Sequence, residues 1–424
     1  MAITIQQAAT TYSPVYNPIW FVCSSTNTAQ TNFEYLCDVY ITGVTFAGGA
    51  TYLRLKTPAD PTYGRGTFNV ASILERELTS DLGNAIYGFQ QCSNSILKYT
   101  CKFGELYGLS SGITAYPDLT IDSARYAFIG SLSILENKDY TIASNVVNAA
   151  SSNANVNILT NAPSSGTIRT DENAWIYVMS QTSGAIKYAD IETYSDVKWS
   201  VVRGNYRVIN DAYHNTSTVA NRMLRFPSGW NLNSIPNSSV YLTAQPIIIT
   251  AGGSPVKSWR IFFTDTNYNR VTEDYYFTLA DPCTAHDVYR IHFKNKWGGY
   301  DSFSFIRAHQ ITTDIKRNKF EKVLGEYKSG TSYTYNKTDK FERNIYTDYK
   351  HTIKLNSDWI TEPQSVWLEE LFTSPEIILD DATHGLIPIN ITETKYTQRQ
   401  HNTDKIFNVE INIQYTFNEI RQGA

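Results

Sequence analysis

Residues able to do chemistry are scattered along these 424 residues, and their spacing decides what they could do. Asp265-x-Asn267-x-Asn269 has the oxygen ligands that open a calcium loop. Arg270, however, stands where that loop needs glycine, and Tyr276 where it needs a bidentate glutamate. The same residues suit the turn of a hairpin. Gly64-Arg65-Gly66-Thr67-Phe68-Asn69 lacks the third glycine of a dinucleotide fingerprint and follows a proline loop, so it reads as turn chemistry. The seven histidines never stand at metal-ligand spacing, and His286 and His292 flank an alternating segment that gives them structural roles. Glu369-Glu370 and Asp380-Asp381 are adjacent pairs. Neighbours point apart on a strand and about 100° apart on a helix, so neither pair converges for glycoside hydrolysis. Neither Gly-x-Ser-x-Gly nor His-Glu-x-x-His occurs. The expectation is no enzyme, with no catalytic, cofactor-binding or metal-ligating residues and no cofactor.

The remaining chemistry is aromatic. Thirty Tyr, nineteen Phe and eight Trp favour β-structure, because flat and β-branched side chains suit a pleated surface. Exposed rings also stack on sugars, and Trp230, in Phe226-Pro227-Ser228-Gly229-Trp230-Asn231, is the candidate carbohydrate contact. A net charge of -4 argues against a specific nucleic-acid partner, which needs a basic stripe. Lys316, Arg317, Lys319 and Lys322 are interleaved with Asp314, Glu321 and Glu326. They read as a solvated edge strand that discourages stray pairing, with a salt-bridged subunit contact as the alternative. Five cysteines without a Cys-x-x-Cys pair suit a reduced compartment, the bacterial cytoplasm. The start of the chain lacks the features of a signal peptide, and no apolar run is long enough to span a bilayer, so no membrane partner is expected.

These side chains need elements to position them, and alternation dominates. Strands are expected near 19–22, 33–41, 51–55, 97–103, 126–132, 174–179, 198–202, 240–242 and 247–250, and residues 258–263 and 272–279 form a hairpin. Helix signals occur twice. Asn69 can cap a helix over 70–81 that Gly83 ends. Thr361 caps a second over 362–373, with Gln364 completing a capping box, Pro363 in the first turn and Ser374-Pro375 as the stop. Trp367, Leu368, Leu371 and Phe372 fall on one apolar face of that helix, and Trp359 should close its N-terminal end. The fold class is therefore mainly β, with several sandwich- or barrel-like regions and two short helices. The expected divisions are 1–142, a polar Ser/Asn/Ala-rich linker or loop over 143–170, a central β region over 171–284, and a C-terminal β module over 285–424.

The two ends also resemble a family. "WGGYDSFSF", "SDWITEPQSVWLEELFTSPEIIL", "GLIPINITETKY" and "DKIFNVEINIQYTF" follow one another in the last third. "YNPIWFVCSSTN", "NFEYLCDVYI" and "RLKTPADPTYGRGTFNVASILERELTSD" stand in the first. In order and spacing these segments resemble virion proteins of tailed phages that infect Bacteroidota, both siphoviruses and crAss-like podoviruses. They cover about half the chain and leave residues from about 85 to 255 unmatched. The resemblance implies a structural virion protein forming a homo-oligomeric ring, sixfold or twelvefold, that supports tail assembly and genome delivery. Its partners would be other copies of itself and other tail or portal-proximal proteins, with DNA passing only through the lumen. It leaves open a distal-tail or baseplate hub or a collar or adaptor ring. A carbohydrate-binding β-sandwich that touches the host surface is the competing reading.

Overall fold

The computed structural model describes residues 3–46, 49–82, 88–108, 112, 114–148, 155–170, 172–209, 222–235, 256–280, 286–381, 383–397, 406–417 and 419–422. Strands make up 49% and helices 9%, so the chain is mainly β, as its alternation predicts. Its contacts divide it into two units. One is Met1–Pro282 with Lys294–Asp301, and the other is Cys283–Phe293 with Ser302–Ala424.

The first unit holds two cores, each closed between two sheets. In the N-terminal core, a three-stranded sheet (Ile3–Gln7, Trp20–Ser25, Arg65–Asn69) faces a six-stranded one built around Glu34–Ile41 and Ile96–Tyr107. Phe21, Cys23 and Phe68 from one sheet meet Tyr35, Cys37, Val39, Tyr99, Cys101 and Phe103 from the other, all buried. Helix α1, Ala71–Glu75, adds Ile73 and Leu74. It is much shorter than the expected 70–81. Asn69 does satisfy its start, its Oδ1 accepting from the Ala71 N–H at 3.2 Å and the Ile19 N–H at 3.0 Å, while Val70 takes the N-cap position. Gly83 lies outside the described residues. Gly66 has a packing reason of its own, since a Cβ there would fall 2.4 Å from the Tyr35 ring.

The second core lies between a four-stranded sheet (Val146–Val147, Trp175–Ser180, Arg222–Pro227, Gln90–Gln91) and a five-stranded one (Ser165–Ile168, Tyr275–Leu279, Ser258–Thr264, Tyr188–Tyr194, Val202–Ile209). Along Ser258–Thr264, period-2 alternation sends Trp259, Ile261 and Phe263 inward, while Arg260 faces out to Glu192 and Asp274. This is the expected hairpin. The strand expected at 198–202 starts later, at Val202, because Asp196 accepts from the Ser200 and Val201 N–H groups and holds a loop there. The strands expected at 240–242 and 247–250 lie outside the described residues.

This core also corrects the linker expected at 143–170. Val146–Val147 runs parallel to Met179–Ser180, Ser165–Ile168 runs parallel to Tyr276–Leu279, and Val156, Ile158, Leu159 and Ile168 are buried. Small polar residues diluted the pattern, yet a few apolar side chains on a paired backbone suffice to fix a strand. The boundary expected at 142 fails for a related reason. Phe89 packs in this second core, and Gln90–Gln91 pairs with Leu224 and Arg225. Helices α2, Ile134–Asp139, and α3, Ile142–Asn145, were not expected.

The segment Lys294–Asp301 belongs to the first unit, and it explains the aromatic-glycine motif. Gly298 has a φ of +85°, and a Cβ there would fall 1.6 Å from the Ile129 carbonyl oxygen; at Gly299 it would meet the Tyr177 ring at 2.6 Å. Only glycine permits so close an approach with that backbone. Asn295 donates to the Leu159 carbonyl at 3.0 Å, Thr160 donates to Asp301 at 2.7 Å, and Lys296 pairs with Glu136 of α2.

One sheet, whose residues belong to the second unit apart from Lys294, Tyr300 and Asp301, has the strand order Tyr300–Phe305, Tyr289–Lys294, Ile377–Asp381, Gly385–Ile391, Glu410–Tyr415, Glu342–Asn356, Gln310–Glu321, and Glu419–Gln422 also pairs with Glu342–Asn356. Helix α4, Glu362–Thr373, has the expected capping box between Thr361 and Gln364, proline in its first turn and Ser374 as its C-cap.

Candidate assembly interface

The most exposed apolar surface of the second unit lies on a long β-arm. Gln310–Glu321 pairs antiparallel with Glu342–Asn356 over twelve residues, about 40 Å at 3.4 Å per residue. In this register, directly opposed residues share a face. One face carries Ile311 with Ile353, Thr313 with His351 and Ile315 with Tyr349; the other carries Asp314 with Lys350 and Lys316 with Asp348. At the base of the first face, Ile353 and Leu355 are buried. Further out, Ile311 and Ile315 are half exposed, as is Ile345 at the irregularity opposite Asn318–Lys319.

Beyond Glu321 the chain makes a small hairpin, Glu326–Ser329 against Ser332–Thr334, tied by the Tyr333 hydroxyl donating to the Leu324 carbonyl at 2.6 Å. Phe320, Val323, Tyr327, Tyr333, Tyr335 and Phe341 are all exposed here, Tyr327 by 75%. Clustered apolar exposure of this kind makes the arm the candidate interaction surface, and tyrosine and phenylalanine are residues interfaces favour. Gln310–Glu321 is the last strand of its sheet, so Lys316, Arg317 and Lys319 do lie on a solvated edge. Lys319 pairs with Glu342 across the ladder at 2.7 Å.

The expected face of α4 is mostly realised. Trp367, Leu368 and Leu371 are buried, with the Trp367 ring 5.5 Å from Phe293 and 6.1 Å from Phe303. Phe372 is half-buried and stacks on Tyr396 at 4.4 Å. Trp359 is the exception, 63% exposed where it was expected to cover the helix start. Asp358 accounts for this. It accepts from the Trp359 N–H and pairs with Arg307, fixing a polar turn that turns the indole outward.

An open groove of about 470 Å³ runs beside α4, lined by Glu369, Phe372, Thr373, Glu393, Lys395 and Tyr396. The Tyr396 hydroxyl donates to the Ser365 carbonyl at 2.8 Å, holding that segment against the helix. Glu393 accepts from the Asn412 backbone and side chain through Oε1, while its Oε2 is buried with no hydrogen-bond partner. Sequence reasoning missed both arm and groove. The arm strands alternate as half-buried strands do, and the groove joins positions more than twenty residues apart.

Other candidates resolve into structure. Trp230 starts the short 3-10 turn Trp230–Ser234 and is half-buried against the second core of the first unit. Asp265 accepts from the Asn267 and Asn269 N–H groups, closing a hairpin turn. Asp381 accepts from the Thr383 and His384 N–H groups, while Asp380 lies 3.6 Å from the buried His292. Cys23, Cys37, Cys92 and Cys101 are free and buried, and burial pushes the Cys23 and Cys92 thiols up to about 12. No three His, Cys, Asp or Glu side chains among the described residues group as metal ligands, and no helix among them is long and apolar enough to cross a membrane. No protein-family model matches the chain, and no curated protein matches it.

Proposed function

We propose that this chain is a structural protein of a tailed phage particle, acting by assembly and not by turnover, as a ring component of the tail or of its junction with the portal. The observation that carries the reading is the β-arm. An arm exposed on both faces and rich in exposed Tyr, Phe and Ile has little to stabilise it alone, and it makes physical sense as a surface that another chain covers. The similarity of both ends to virion proteins of Bacteroidota phages supplies the setting, a virion assembled in the bacterial cytoplasm. The carbohydrate-binding alternative needs exposed aromatic rings, and its candidate contact, Trp230, is half-buried, which does not favour it. Quantitative mass spectrometry of purified particles of the encoding phage tests the reading. The chain should be present at a fixed copy number that is a multiple of its ring order, and its absence from the particle overturns the proposal.

A further inference from the structure

We infer that the arm of one copy docks into the groove beside α4 of the next copy. This deepens the assembly reading and rests on it. Charge identifies the occupant. Residues 310–356 carry ten Lys and Arg against six Asp and Glu, a net of +4. The whole chain is -4, so the remainder is -8. A basic arm on an acidic body attracts its own kind, arm to body.

The groove is the matching receptor. Glu369 and Glu393 outnumber Lys395 in its lining, and the stacked Phe372–Tyr396 pair gives it an aromatic floor. Glu369 is exposed in that lining and offers its carboxylate to a lysine ammonium. The arm tip offers the complement, with Lys322, Lys337 and Lys340 interspersed among Tyr327, Tyr335 and Phe341, all exposed. Because those tip side chains are exposed, they do not occupy the groove of their own chain. Arm and groove are different surfaces, so the contact is head-to-tail and repeats from copy to copy until a ring closes.

Mixing two variants tests this. One carries Tyr335→Ser, Lys337→Glu and Lys340→Glu on the arm; the other carries Glu369→Lys in the groove. All four positions are exposed, and unchanged melting temperatures confirm that both variants fold. Sedimentation velocity should show wild type associating, each variant alone weakened by at least about tenfold, and the equimolar mixture forming a one-to-one dimer through its one intact arm and one intact groove. A mixture that stays monomeric, a variant that associates like wild type, or a wild type monomeric at every concentration overturns the inference. Particle mass spectrometry judges the virion reading separately, so the two can fail independently.

Discussion

Trp367 and Trp359 stand eight residues apart and separate two uses of one residue type. Trp367 is buried between Phe293 and Phe303, so Trp367→Ala removes a ring and leaves a cavity, a loss of about 3–5 kcal/mol. Trp359 is largely in solvent, and Trp359→Ala should change stability by less than about 0.5 kcal/mol. Denaturant unfolding of both variants measures the contrast, and equal effects would refute the packing described for α4. The amphipathic spacing of 367, 368 and 371 was legible because a helix repeats its face every three or four residues. The exposure of Trp359 was not. It depends on the ion pair between Asp358 and Arg307, residues 51 positions apart, which no local pattern shows.

Among the elements, α4 was legible to its capping box, whereas α2 was not, although its box is also present. Ser133 accepts from the Glu136 N–H at 3.2 Å, and Glu136 accepts from the Ser133 N–H at 3.0 Å. No apolar stripe follows that cap: Ile134 and Leu135 are 88% and 75% exposed, and α2 buries no residue. The hairpin tip at Lys294–Asp301 was visible as a motif but not as a fit. Gly298→Ala would add a methyl against the Ile129 carbonyl at a φ of +85°, so it should lower the melting temperature by several degrees or leave the protein insoluble. A variant that melts like wild type would show that the tip does not pack this way. Of the arm, only the charged edge at Lys316, Arg317 and Lys319 was legible. Its length and the exposure of its apolar side chains were not, because burial depends on what packs against a strand and not on its pattern.

At the scale of the molecule, charge contributes to stability and, in the proposed reading, to assembly. Asp380 is held below the usual carboxylate range chiefly by His292, and Asp381 by the His384 N–H. At Glu136 and Glu192, burial pushes the carboxyl up, but Lys296 together with Ser133, and Arg260 together with Tyr194, outweigh it and leave both lowered. A carboxyl whose folded pKa lies below its unfolded value binds fewer protons when folded. Its stabilisation is complete above about pH 5 and disappears as pH falls through the folded value. The melting temperature should therefore be lower at pH 3 than at pH 7; an equal or higher value at pH 3 would contradict these pairings. Self-assembly through the arm is read out by mass photometry of the intact chain beside one with residues 322–341 replaced by a short Gly-Ser turn. The intact chain should give one discrete species at a multiple of 48.0 kDa above the monomer, and the shortened chain a monomer. An intact chain that remains a monomer at every concentration, or a shortened chain that assembles equally well, would contradict it.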